Sequence, residues 1–187
     1  MIWSEHRIAA WLARHTFARK CLVIVPNCSW PGSECDLLIL TRDLRVIDVE
    51  IKISRSDLRA DAGKDKWFHS WDWKIDGPWG KNAQRRPRPW PLRVWKHYYC
   101  LPADIWKPEL LPTVASVSGV LLLTAGKYSA EQWYIRCERA ARPNRQAERV
   151  TAEDAIDIAR LAGLRMWDAL DAVERLSRDY SAAVRAA

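Results

Sequence analysis

A chain of 187 residues with an apolar fraction of 49% is long enough for one domain with its own core. Its formal charge of +7 and pI near 9.3 favour a polyanionic partner. No apolar run reaches the ~18 residues of a membrane span, and Glu5, His6, Arg7 and Arg14 break up any signal-peptide core, so a cytoplasmic protein without a membrane partner is expected.

The five cysteines are odd in number and form no CxxC. Free thiols in a reducing compartment are expected; a Cys28–Cys35 bridge or a zinc site would lack a second metal-spaced pair. Twelve tryptophans are unusual for this length. Such rings fill cores, anchor interfaces or stack on bases.

Residues 2–20 read as a helix, with Ser4 as N-cap and Ile8, Trp11, Leu12 and His15 on one face. Glu5 in its first turn complements the helix dipole. Cys21–Val25 is a short apolar strand. Pro26, Asn27, Ser29, Pro31 and Gly32 then mark a loop. Asp36–Leu40 reads as the next strand, and Thr41–Arg45 as a hairpin connection into a third.

From Val46 to Ile53 the residues alternate. Ile47, Val49, Ile51 and Ile53 point one way; Asp48, Glu50 and Lys52 point the other. Antiparallel pairing brings Asp36 near Glu50 at one end of the hairpin. Two close carboxylates repel unless a cation lies between them, and oxygen ligands favour Mg²⁺ or Mn²⁺. The Ile51 carbonyl supplies a further oxygen. Lys52, on the same face, can orient water or offset charge on a phosphate. The plain alternative is a polar strand face that meets water.

After Ser54, a candidate N-cap, a helix begins, with Arg55, Arg59 and Lys64 as its basic residues. Residues 64–89 hold Trp67, Trp71, Trp73 and Trp79. From Lys81 to Lys96 come Lys81, Arg85, Arg86, Arg88, Arg93 and Lys96 without an acid. Arginines take phosphates and indoles stack on bases, so this stretch suits nucleic-acid contact; a small apolar core under a basic loop is the alternative. His97–Leu101, Gly119–Thr124 and Gln132–Cys137 read as strands. Residues 139–150 form a loop, and Thr151 with Asp154 opens a helix to about residue 185. Its apolar face, from Ile156 to Tyr180, is expected to be buried on the sheet or against another subunit, and Gly163 to divide it.

Asp36 and Glu50-Ile51-Lys52 resemble the core motif of the PD-(D/E)XK nuclease superfamily. The run from Glu50 to Asp61 resembles the MmcB-like DNA repair proteins, as do Trp90-Pro91-Leu92 and Lys96 to Pro102; the likeness spans roughly residues 4–124. It implies a three-layer α/β/α restriction-endonuclease-like core with a mixed sheet, spanning residues 1–138 and carrying the 64–89 stretch as a Trp/Arg-rich insertion. Residues 139–187 follow as a linker and C-terminal helices packed on the core. The implied activity is Mg²⁺-dependent (or Mn²⁺-dependent) endonucleolytic hydrolysis of DNA, in repair or in processing of phage or mobile-element DNA.

Asp36 and Glu50 would bind metal with the Ile51 carbonyl, Lys52 would be catalytic, and Asp48 or Glu5 would complete the shell. Arg55, Arg59, Lys64, Trp71, Trp73, Lys81, Arg85, Arg86 and Arg88 would contact DNA. Glu50→Ala or Lys52→Ala would then abolish cleavage and leave the fold intact. The alternative on the same fold is a nucleic-acid-binding module without turnover, and homodimerisation is left open.

Overall fold

The apolar runs assemble into one six-stranded sheet in a computed structural model that describes residues 3–70, 85–126 and 133–186. Its strands are β1 (Cys21–Cys28), β2 (Cys35–Thr41), β3 (Val46–Ile51), β4 (Lys96–Pro102), β5 (Gly119–Ala125) and β6 (Trp133–Arg139), lying in chain order across the sheet. The first three are antiparallel neighbours, β3–β4 and β4–β5 are parallel, and β6 returns antiparallel. The sheet is therefore mixed. Parallel neighbours need crossovers. The first carries α2 (Arg55–Ala60), capped by Ser54, whose hydroxyl accepts the Asp57 N–H at 3.1 Å; the second carries two 3₁₀ turns.

Helices cover both faces. Leu37, Ile39, Val49, Ile51, Cys100 and Leu123 point toward α1 (Glu5–Trp11), which contributes Ile8, with Leu12 just beyond its end. Ser4 caps α1 as expected, and a π-helical turn, Leu12–Phe17, extends it. On the opposite face lie two separate apolar clusters. Leu38, Leu40 and Val46 meet Val150 and Ile158, the latter from α3 (Ala152–Ala186). Tyr99, Leu101, Val120 and Leu122 meet Leu58 of α2 and Trp67. The charged residues of β3 lie on this second face.

Several expectations need correction. β1 does not stop at Val25 but runs through Pro26 to Cys28, because on an edge strand a proline's missing N–H need not cost a ladder bond. Cys28 and Cys35 are cross-strand partners, yet both are free thiols. The C-terminal segment is one helix, not two, with Gly163 inside it. Of the expected Thr151–Asp154 capping box, the N-cap half forms: Asp154 N–H donates to the Thr151 hydroxyl at 3.1 Å, and that hydroxyl donates to Asp154 Oδ2 at 2.8 Å.

Only the first turns of α3 pack on the core. Trp167 is 60% exposed and Tyr180 73%, and Leu170, Val173 and Leu176 lie open with them. At 1.5 Å per residue the helix is about 50 Å long, and its contacts are made near its start, where Ile158 and its neighbours meet the sheet. No described helix is long and apolar enough to cross a membrane. Trp71, Trp73, Trp79 and Lys81 lie outside the described residues. Trp67 is fully buried and belongs to the core.

Because residues beyond Asp168 bury so little, a chain ending there should keep its stability within about 1 kcal/mol. Urea midpoints of the two lengths measure this; a loss of several kcal/mol would mean that the distal helix is docked in solution.

Candidate functional site

The β2–β3 ladder ends at Leu37↔Val49, and the same register carried one step further sets Asp36 across from Glu50. The Ile51 N–H is here taken by a side chain: it donates to Asp36 Oδ2 at 2.7 Å. The next N–H, of Lys52, turns to the Cys100 carbonyl on β4 at 2.9 Å. The hairpin thus opens where the two carboxylates meet. Burial first, and then the charge of Glu50, lift the Asp36 carboxyl to about 6, against the pull of the Ile51 N–H, Lys52 and Lys64.

The alternating face of β3 does not meet water. Asp48 and Glu50 are fully buried and Lys52 nearly so. Glu50 Oε2 accepts from Lys52 at 2.9 Å and from Lys64 at 2.6 Å, while Oε1 accepts from Lys66 at 2.6 Å. Burial disfavours this carboxylate, but the ammonium groups of Lys66, Lys52 and Lys64 outweigh it and keep its pKa below the usual range.

Asp61, at the end of α2, is the hub of a second set of bonds. It lies 3.2 Å from Lys52 and 3.1 Å from Lys64, and accepts from Trp67 Nε1 at 2.9 Å and the Tyr99 hydroxyl at 2.5 Å. Despite its burial, Lys66, Lys52 and these two donors hold it well below the carboxylate range. Lys66 also reaches Asp48 at 3.1 Å and His97 Nε2 at 3.2 Å. An ammonium only donates, so Nε2 accepts and Nδ1–H faces the Ser118 hydroxyl at 2.8 Å. Burial, with Lys66 alongside, keeps His97 neutral.

Three buried carboxylates (Asp48, Glu50, Asp61) therefore share three ammonium groups (Lys52, Lys64, Lys66), with the partly exposed Asp57 3.6 Å from Lys52, and Asp36 is in no ion pair among the described residues. It lines a cleft of about 640 Å³ together with Glu34, Asp65, Lys64 and Lys66. On its far side it lines a small cavity of about 140 Å³ with Glu5 and Ile51. Among the described residues no three carboxylate, histidine or cysteine groups form a ready metal cage.

Other expected site residues are differently employed. Lys52 is only 3% exposed, is bound to Glu50 and Asp61, with Asp57 3.6 Å away, and does not line the cleft. Asp48 is committed to Lys66. Arg55 is not aimed at a ligand: its guanidinium donates to the carbonyls of Ile105 (2.9 Å) and Asp104 (3.3 Å). Arg85 pairs with Asp65 and lies 4.0 Å over the Phe68 ring. Arg59 is exposed on α2. The Arg86 carbonyl accepts the His69 N–H, and Arg88 N–H donates to the Trp67 carbonyl.

The sequence reading missed Lys66, His97, Tyr99 and Ser118 as members of the cluster. The one local signal was Lys96 to Pro102 as a strand, which places His97 and Tyr99 beside Asp48 and Glu50 in the parallel register.

No family model matches the chain, and no curated protein does. A solved structure, of a protein of unknown function from Silicibacter pomeroyi, is similar to it with a TM-score of 0.52 and 19% identity over 92% of each chain. At that identity the likeness extends to the fold.

Two predictions follow from the charge balance. A carboxyl raised to about 6 in the folded chain contributes stability that is fully present below its unfolded value and lost as pH rises through about 6. Asp36→Asn, which keeps an acceptor for Ile51, should therefore stabilise the metal-free protein at pH 7.5. Partial exposure reduces the gain to about 1–2 kcal/mol, and it should shrink toward pH 4; thermal melts in EDTA at the two pH values check it. Glu50→Ala strands three ammonium groups, two of them buried. It should cost about 3–5 kcal/mol and not leave the fold untouched as the sequence suggested; urea denaturation measures the loss.

Proposed function

We propose that the protein is a divalent-metal-dependent phosphodiesterase acting on DNA, on a restriction-endonuclease-like core. The observation that carries this reading is the opening of the β2–β3 hairpin at Asp36 and Glu50, with Asp36 in no ion pair among the described residues and lining a cleft. The residues fit Mg²⁺ or Mn²⁺: the donors are hard oxygens, and a cation would relieve the burial and repulsion that lift the Asp36 carboxyl. Asp36 and Glu50 would hold the ion with the Ile51 carbonyl, and Glu5 lines the adjoining cavity. Bound there, the metal would polarise the scissile phosphate and the attacking water.

The chain's own groups divide the remaining work. Lys52 and Lys66 fix Glu50 from two sides and hold its charge in place. Lys64, whose side chain is 42% exposed, is the ammonium free to turn from Glu50 toward a phosphate oxygen in the cleft. Lys52 is thus a positioning residue in this reading, and Lys64 the one that meets substrate. Arg88, Arg93 and Lys96 would supply phosphate contacts beyond the cleft.

A second reading, a nucleic-acid-binding module without turnover, draws on the fact that both Glu50 oxygens are occupied by lysines.

Purified protein with Mg²⁺ or Mn²⁺ should cut DNA, and Asp36→Asn should lower the rate at least a hundredfold while raising the melting temperature. Mg²⁺ should also raise the melting temperature of the wild type and not of Asp36→Asn. DNA binding without cleavage by any divalent metal, together with no thermal response to Mg²⁺, would favour the second reading.

A further inference from the structure

Next to the Asp36 cleft lies a groove of about 470 Å³ between two chain segments. One segment contributes Arg88, Trp90 and Arg93; the other contributes Asn144 and Glu148; His69 also lines it. Arg88 Nε is buried and has no hydrogen-bond partner among the described residues, and a buried donor of this kind calls for an acceptor. Arg93 is held in the left-handed region at φ 58, with its guanidinium 5.2 Å over the Trp30 ring. Trp90 is anchored at its polar end, where Nε1 donates to the Arg142 carbonyl at 2.9 Å. Among the described residues Glu148 is the one acidic side chain lining the groove, set against two arginines and His69.

Groove and cleft come close at Gly32 and Leu92. Gly32, which lines the cleft, has φ +99, and a Cβ there would lie 3.5 Å from Leu92 Cδ2; Leu92 lines the groove. The two sites are therefore neighbours on the surface.

We propose that this groove binds the unpaired flank of a DNA substrate, with a base against Trp90 and its phosphates at Arg88 and Arg93. The proposal rests on the phosphodiesterase reading only for what occupies the cleft. The volume lies among small-ligand pockets, about 300–1,000 Å³, which suits one or two splayed nucleotides and not a paired helix. Guanidinium groups beside an indole are the combination that holds single strands with little sequence preference.

The test is fluorescence anisotropy on the full chain in EDTA. The probes are a blunt duplex, the same duplex with an unpaired thymidine flank, and the flank oligonucleotide alone. The flanked duplex should bind about tenfold more tightly than the blunt one, with affinity falling as salt rises. Trp90→Leu and the pair Arg88→Gln with Arg93→Asn should erase that preference; asparagine tolerates the left-handed backbone at position 93. Asp36→Asn should keep it.

Equal binding of both duplexes by the wild type, or folded variants that retain the preference, would overturn the proposal. Photo-crosslinking of a bromodeoxyuridine flank to the wild type needs no variant. Adducts within 88–93 or 144–148 support the groove, and adducts confined to other peptides overturn it. Cleavage without flank preference would remove the groove alone, and flank preference without cleavage would remove the nuclease reading alone.

Discussion

Glu50 is the charge around which the interior of this protein is arranged. A carboxylate at the centre of a sheet, with no exposure to water, costs several kcal/mol unless charge and hydrogen bonds surround it. Three lysines supply that surround, and each must be fixed in turn. Lys52 leans on Asp61, Lys66 on Asp48 and His97, and Lys64 on Asp61. Tyr99 and Trp67 then donate to Asp61, so that one buried acid on β3 orders side chains from α2, the turns after it, β4 and the loop holding Ser118. The two apolar clusters on this face, one under α3 and one under α2, lie on either side of that polar seam. Packing alone would have merged them.

Much of the sheet was legible because its signals are local. β-branched alternation from Val46 fixed which residues of β3 face which way, and the short turn at Thr41–Arg45 fixed the antiparallel register. That register is what brings Asp36 to Glu50. Alternation reports only that a face is polar, not whether water or another polar group covers it. The cover here comes from Lys66, sixteen residues from Glu50, and from His97 and Ser118 on later strands and loops. Nothing near Glu50 in the chain announces them. The same limit explains α3: the spacing from Ile156 to Tyr180 marks an apolar stripe, but spacing carries no information on whether a surface lies opposite. The sheet edge receives Ile158 and its neighbours and leaves the later turns open.

Division of labour among the lysines follows from burial. Lys52 and Lys66 are enclosed, and their neighbouring carboxylates hold their pKa values above the usual range against the effect of burial. Neither can leave without stranding acids in the core. Lys64 shares Glu50 and Asp61 with them but sits at the rim, where its stem is solvated and its head can exchange partners at small cost. A motif read from sequence puts weight on the lysine two residues after the acid. In the fold that lysine is walled in beneath α2, and the cleft is lined by Lys64, fourteen residues after Glu50.

The charge count makes the consequence definite. With Lys64 in place, Asp48, Glu50 and Asp61 each have an ammonium partner, whereas Asp36, beside them at the opening, is in no ion pair among the described residues. Once Lys64 turns toward a phosphate, the opening between β2 and β3 is left with two negative charges uncovered, one on Asp36 and one shared by Glu50 and Asp61. A monovalent ion would leave half of that repulsion standing, whereas a single divalent cation cancels it, and cancels it at the point where the hairpin has already parted. In the proposed reading, substrate phosphate and metal therefore favour each other's binding, because the phosphate draws away the ammonium that otherwise occupies Glu50. That coupling follows from the placement of one exposed lysine and requires no movement of the sheet.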